Sequence, residues 1–525
     1  MECPSMAYTY SLLPSALLNS VEVAKGPIST IYGPDAFHGA VAFLPEHYQA
    51  NRNTARVTLG ESGVEHLNAL ANVALDSVKL TTNLALVADE DSVIKDNQRP
   101  EGEREESYQS IGVHQGITLG DHYVGILFSE ADADDMMTSN GLHYDKPGRM
   151  DRNRLKTLYY KYHYPILPEH QLRLTSWASS SYVDIVADVG AFESFLAYED
   201  RKAGAKIHLI DEGSDALSVN YGVEYYYDKV HHSEERNAFT GIAANGYDEG
   251  EVRETASGFF DGQYALSHDL HLFLGTRYNR YSNTDDHYLS PRIGFTYDVT
   301  PYSTVKLQGS QGIRAPTARE VRGNGTIVAE NEGLENEKLT MAELSYLYRR
   351  DDFRFSAALF ESRWHDSISI AEVVPNALYQ YINKGESSSY GVETSAITIV
   401  DSVHLFKLGA HYIKSKDEET GMEYTAFPKV AIYAGYIYEG DVVKWQLMAR
   451  HKNGWTATDL DSSPKLPSYF RVDGSFQYRL SQQVSTYVSV QNLFDKENRT
   501  PSTWRHPDGQ YEEGIQLRVG VSAQL

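Results

Sequence analysis

The residue types able to support acid–base or metal chemistry are few. Two acidic doublets, Asp285-Asp286 and Asp351-Asp352, fall in segments that read as loops or turns, where solvated charge accounts for them. His231-His232 with His268 and His271 could be drawn as a metal site. On alternating strands, however, His268 and His271 point to opposite faces. Cys3 is the sole cysteine, which excludes an internal disulfide and a cysteine-rich metal site. There is no GxSxG elbow, no HExxH zinc helix and no phosphate-cradling glycine loop. The expectation is therefore no catalytic residue, no metal site, no cofactor and no enzyme.

The elements that would position any binding residues alternate with period two almost throughout, the mark of strands with one apolar and one polar face. Leu217, Val219, Tyr221, Val223, Tyr225 and Tyr227 share one face, against Ser218, Asn220, Gly222, Glu224 and Asp228. Phe470, Val472, Phe476, Tyr478 and Leu480 oppose Arg471, Asp473, Ser475, Gln477 and Arg479. Ile515, Leu517, Val519, Val521, Ala523 and Leu525 oppose Gln516, Arg518, Ser522 and Gln524. About 22 such strands follow Asn53, most of about 9–13 residues, the length that crosses a bilayer at a tilt.

Connection lengths alternate as well. Tight connections at Asp76-Ser77, Gly120-Asp121, Asp211 to Asp215, Ser267 to Asp269, Arg350 to Asp352, Val400 to Ser402, Glu439 to Asp441 and Ser481 to Gln483 separate long polar segments. Those lie near 89–107, 130–152, 231–251, 312–338, 364–388, 415–426, 453–466 and 495–511. Short turns on one rim and long loops on the other describe an outer-membrane barrel. We expect an all-β fold: a transmembrane antiparallel barrel of about 22 strands, too wide for its own side chains to fill and so needing a plug. A soluble sandwich or propeller fits the alternation but not the loop pattern.

Composition agrees. No apolar run reaches the ~18 residues of a membrane helix. Tyr outnumbers Phe and Trp, 38 against 18 and 5, which suits a membrane interface. A net charge of −25 argues against nucleic acid as a partner.

Four segments resemble the TonB-dependent outer-membrane receptors. VEVAKGPISTIYGPDAFHGAV, from Val21 to Val41, is similar to the end of that family's plug. GIRAPTARE from Gly312, followed by ENEGLENEKLTMAELSY from Glu330, resembles the FRAP and NPxLKPE elements. NKGESSSYGVE from Asn383 resembles the N-x-G-x-x-x-x-GVE strand, and NLFDKENR from Asn492 the C-terminal signature. The resemblance divides the chain into a plug remnant at 1–50 and a barrel at 51–525. It gives Glu22, Lys25, Gly26, Pro27, Tyr32, Gly33 and Gly39 as plug-motif residues, and Glu343 and Glu393 as wall positions, with one or the other of which Lys25 would pair within a partly buried network.

The resemblance further implies an outer-membrane location, lipid and the TonB energy-coupling complex as partners, and import of a scarce nutrient. Ferric siderophores rank first among ligands. Haem ranks lower, because no His stands between Arg314 and Asn331. Tyr144, Arg149, Arg152 and Arg154, read as loop residues, offer aromatic and cationic groups for an anionic chelate. A passive channel and an adhesin-like surface barrel stay open as alternatives. Met1 to Ser20 lack the pattern of a secretory signal, the plug segment is short for the family, and Leu525 stands where the family ends in an aromatic residue. These departures suggest a misassigned start, a split gene or a decayed copy.

Overall fold

The computed structural model describes the chain except residues 1–12, 29–32, 34–35, 51, 61–62, 96–102, 137–147, 190–191, 237–242, 246–247, 283–286, 324–327, 375–377, 458–463 and 502–508. The strands close into one antiparallel barrel of 22 strands. Closure is made by the first barrel strand, Thr54–Gly60, against the last, Gln516–Gln524, with Val57 opposite Val521. The Leu525 amide completes the seam by donating to the Asn53 carbonyl at 2.9 Å.

Alternation sorts the side chains as the periodicity requires. Leu217, Tyr221, Val223, Tyr225, Phe476, Tyr478, Leu517, Val519 and Val521 are all exposed on the outer wall. Between them, Glu224 is buried on the lumen side, where its carboxylate meets Arg277 at 2.6 Å. This pair is almost wholly withdrawn from solvent, and Asn279 accepts a further bond from Arg277 Nε at 2.9 Å. Losing one partner of such a pair strands the other charge at a cost of ~3–5 kcal/mol.

Strand length departs from expectation. Gly148–Leu167, His170–Val189, Phe192–Asp211 and Leu217–Arg236 each run 20 residues. Only ~9–11 are needed to span hydrocarbon. The excess lies beyond the membrane, where polar sequence keeps pairing as hairpin ribbon and no longer needs an apolar face. Parts of the segments read as loops near 89–107, 130–152 and 231–251 are therefore strand, up to Lys95, Met136 and Arg236. The loop rim is also less uniform than expected, since only two residues separate His170–Val189 from Phe192–Asp211. His268 belongs to the turn before strand Leu270–Tyr281 rather than to a strand.

The two faces should respond oppositely to charge. Val472→Arg, on the lipid wall near mid-strand, is expected to cost ~2–4 kcal/mol, and Ser475→Arg, on the lumen wall, little. Urea titration in micelles measures both, and equal penalties would contradict the assignment of faces.

Candidate functional site

Inside the barrel a two-stranded hairpin, Leu18–Lys25 with Gly39–Pro45, pairs Val23 with Val41 and Lys25 with Gly39. Past Lys25 the chain turns at Gly26, φ 77°, whose amide donates to the His38 carbonyl at 2.9 Å. Gly39 holds φ 152°, and a Cβ there would lie 2.4 Å from the Ala24 carbonyl oxygen, so only glycine fits.

The hairpin touches the wall at several places. Lys25 Nζ lies 2.5 Å from Glu393 Oε2. Gly26 packs on Met341, buried Pro27 on Gly312, and Gly33 on the Tyr226 hydroxyl. Phe37 and His38 set their rings edge-on to Trp364, at 6.0 and 5.0 Å. Across the lumen, Leu17 is fully buried and Asn83 donates to the Ala16 carbonyl at 2.9 Å. A bidentate Arg52–Glu46 pair, both contacts 3.0 Å, fixes the link to the first barrel strand.

The plug–wall charge network differs from expectation. Glu343 is engaged by Ser345 and Gln308 on the wall itself, at 2.6 and 3.3 Å. Glu22 is exposed, with no ion pair among the described residues. The Lys25–Glu393 pair is not partly buried: the side chains are 66% and 38% exposed. The hairpin leaves both groups open to the lumen, so the pair ranks with surface bridges worth ~0–1 kcal/mol. Tyr32 lies outside the described residues.

Residues inside the motif boxes prove to be rivets, a role that sequence reasoning did not assign to them. Arg314 holds the Glu320 carboxylate in a bidentate grip at 3.0 Å and also bonds Glu337, which is buried and accepts from the Ile368 amide at 2.6 Å. Thr317 and Glu320 form a reciprocal capping box on the short helix Ala318–Arg322, α1. The T-x-x-E spacing was a readable signal for this. Asn383 donates to the Glu335 and Asp366 carbonyls, both at 2.8 Å, tying the two loops together. Asn492, buried and at φ 48°, bonds the Lys496 and Glu513 carbonyls.

Near the loop rim α1 faces the wall across a cavity of about 340 Å³. The cations Lys202, Arg253, Arg319 and Arg322 line it with Asp200, Asp228, Glu251 and Tyr198. Asp228 receives Arg253 at 3.1 Å and Lys202 at 3.7 Å, and Arg322 reaches Glu251 at 3.0 Å and Glu332 at 2.6 Å. The wall carboxylates thus pre-orient a cluster of guanidinium and ammonium groups toward a space of small-molecule size. The four ligand residues expected from sequence do not gather here. Tyr144 lies outside the described residues, and Arg149 is described only in its backbone, within strand Gly148–Leu167. Arg154 pairs with Glu130 on the outer wall, two and four residues from outward Lys156 and Leu158, and Arg152 stands opposite Asp184 on that face.

The chain belongs to the TonB-dependent receptor family: the family described as TonB dependent receptor-like, beta-barrel, matches residues 91–493. It is an outer-membrane barrel of receptors and transporters rather than enzymes. The iron-regulated outer membrane virulence protein of Vibrio cholerae serotype O1 is 24% identical over 93% of this chain and 77% of its own length. Among solved structures, the FrpB iron transporter of Neisseria meningitidis superposes with a TM-score of 0.77 at 14% identity, covering 97% of this chain and 87% of that one. The ferric-catecholate import receptor Fiu of E. coli K12 gives 0.74 at 13%, covering 97% and 86%. The copper transporter OprC gives 0.76 at 14%, covering 96% and 85%.

The loop after strand His404–Asp417 is closed by charge. Glu423 accepts from both Lys414 and Lys429, and these bonds hold its carboxyl down at about 2, from an ordinary 4.5. A carboxyl acidified by folding adds order that is complete above its ordinary pKa and is lost as pH falls through the depressed one. Cleavage by an acid protease within 418–429 should therefore rise as pH is lowered from about 5 to about 2, while Glu423→Gln should be cut readily across that range. A double-mutant cycle on Lys25→Met and Glu393→Gln should return a coupling of only ~0–1 kcal/mol, read from denaturant titration of a fluorophore on the hairpin.

Proposed function

We propose that the chain serves TonB-energised uptake of a small anionic ligand, a ferric chelate of the siderophore class. The observation that carries this reading is the wall cavity beside α1, where Lys202, Arg253, Arg319 and Arg322 converge within reach of the loop rim. Guanidinium groups suit the planar, delocalised oxygens of an iron chelate, and Tyr198 adds a ring to the lining. Three of the similar proteins point the same way: an iron-regulated protein, an iron transporter and a ferric-catecholate import receptor.

In this reading residues 1–50 act as the plug segment and 51–525 as the barrel. The loops collect the ligand, the wall cavity and the plug apex hold it, and TonB acting on the plug opens the way inward. The Lys25–Glu393 contact suits such a plug, since an exposed pair yields at little cost. Capture needs no energy input, whereas release inward does.

The test uses a ferric tris-catecholate titrated into the purified barrel in micelles, with intrinsic fluorescence quenching as readout. Removing a charge-assisted contact costs ~1.5–3 kcal/mol. Arg319→Ala with Arg322→Ala should therefore weaken binding by a factor of ten or more. Wild-type protein that ignores the chelate would sink the ligand assignment. Uptake of radiolabelled iron that persists without TonB would sink the energised mechanism.

A further inference from the structure

The outer wall carries a row of cations that import does not use. Strand register sets Lys156 opposite Ser180, Ser180 opposite Arg201, and Arg201 opposite Lys229. Neighbours fix the face. Leu158, Ile207 and Tyr225 are exposed on the outer wall, whereas Lys202 and Asp228, adjacent in sequence to Arg201 and Lys229, meet on the lumen side. With strands ~4.8 Å apart, the three cations lie along an arc of ~15 Å.

Their height is set by the strands. At ~3.3 Å per residue and a tilt of ~40°, Lys229 stands ~30 Å from the turn end of Leu217–Arg236. That is just past an apolar band ~25 Å tall, at headgroup level on the loop-rim side.

One row toward the midplane, register aligns Leu158, Ala178, Ala203 and Tyr227. The two alanines between bulky neighbours leave an apolar groove of about 590 Å³, walled also by Ile126 and Phe128. Glu254 stands opposite Tyr227 at its far edge. One row outward come carboxylates already engaged: Glu130 by Arg154, and Glu199 by Arg201 Nε at 2.9 Å. The Glu199 bond uses one of the five guanidinium donors and leaves the others for a second anion. From midplane to rim the order is apolar groove, cations, carboxylates. A lipid with acyl chains below and a phosphate above matches the first two layers.

We propose that this face binds a phosphate-bearing membrane lipid of the loop-rim leaflet. Its phosphate sits on Lys156, Arg201 and Lys229, and an acyl chain lies in the groove over Ala178 and Ala203. The site rests on the membrane placement of the barrel and is independent of the ligand that the lumen carries.

The experiment titrates the purified chain in neutral-detergent micelles with dioctanoyl phosphatidic acid, dioctanoylglycerol and inorganic phosphate, read by native mass spectrometry and calorimetry. Phosphatidic acid should bind at least tenfold more tightly than either other probe. Lys156→Gln/Arg201→Gln/Lys229→Gln should lose tenfold or more. Ala178→Phe/Ala203→Phe should also lose the lipid with every charge in place, whereas Lys444→Gln, beside the opposite rim, should bind as wild type. Heat-modifiable migration confirms that each variant is a closed barrel. Equal binding by the triple variant and wild type would overturn the site. Equal affinity for phosphatidic acid and dioctanoylglycerol would overturn the role of the phosphate, and inorganic phosphate binding as tightly as the lipid would overturn the role of the groove.

Discussion

Inside hydrocarbon no water is available to a backbone amide or carbonyl, and each unmet group costs several kcal/mol. A sheet satisfies that constraint only by having no edge, so the pairing of Thr54–Gly60 with Gln516–Gln524 is the contact on which the architecture depends. Without it the wall would open along two unpaired strands. With it, the period of two separates the outside from the inside at every position, and a lumen of this width becomes a polar chamber. Buried ion pairs such as Glu224–Arg277 are then tolerable, because lumen-side partners, Asn279 for Arg277 and Tyr226 for Glu224, replace part of the hydration that each charge has lost.

Closure also explains why the hairpin is held by many small contacts rather than one strong one. Leu17 and Pro27 meet different parts of the wall, Phe37 and His38 share Trp364, and Lys25 adds an exposed ion pair. In the proposed plug role the hairpin has to stay put under thermal motion and yet be displaceable. Distributed apolar contacts with one weak bridge serve that better than a buried salt bridge, whose rupture would strand a charge. The strong interactions lie elsewhere, in the Arg314–Glu320–Glu337 clamp and the Asn383 rivet, which fix the loop-rim segments beside the wall cavity.

Much of this could be read before any coordinates. Alternation along Leu217 to Tyr227 identified the outward face, the tight connections located one rim, and the four motif segments named the family. Motif position offered Lys25 two wall carboxylates, Glu343 and Glu393, and the structure sets it beside the second. What stayed hidden depends on register, which no single strand encodes. The wall cavity joins three strands to a helix some fifty residues further along the chain. The loss of Arg152 and Arg154 to the outer wall has the same origin. Both were read as loop residues because polar ribbon beyond the bilayer carries no apolar face to reveal that it is still strand.

The stretch of wall between Gly148 and Ala265 presents two chemistries back to back. Arg201 faces out and Lys202 faces in; Lys229 faces out and Asp228 faces in, where it meets Lys202 and Arg253. Each strand therefore supplies adjacent residues to two different sites, one on the lumen and one on the membrane. A slip of one residue in register would exchange the two sets, putting lumen carboxylates into lipid and apolar groove residues into the lumen. The long ribbons of 20 residues guard against that slip, because shifting one strand breaks every cross-strand pair along its length at once. Strand length beyond the bilayer is thus not idle: it secures the register by which one sheet can serve both its faces.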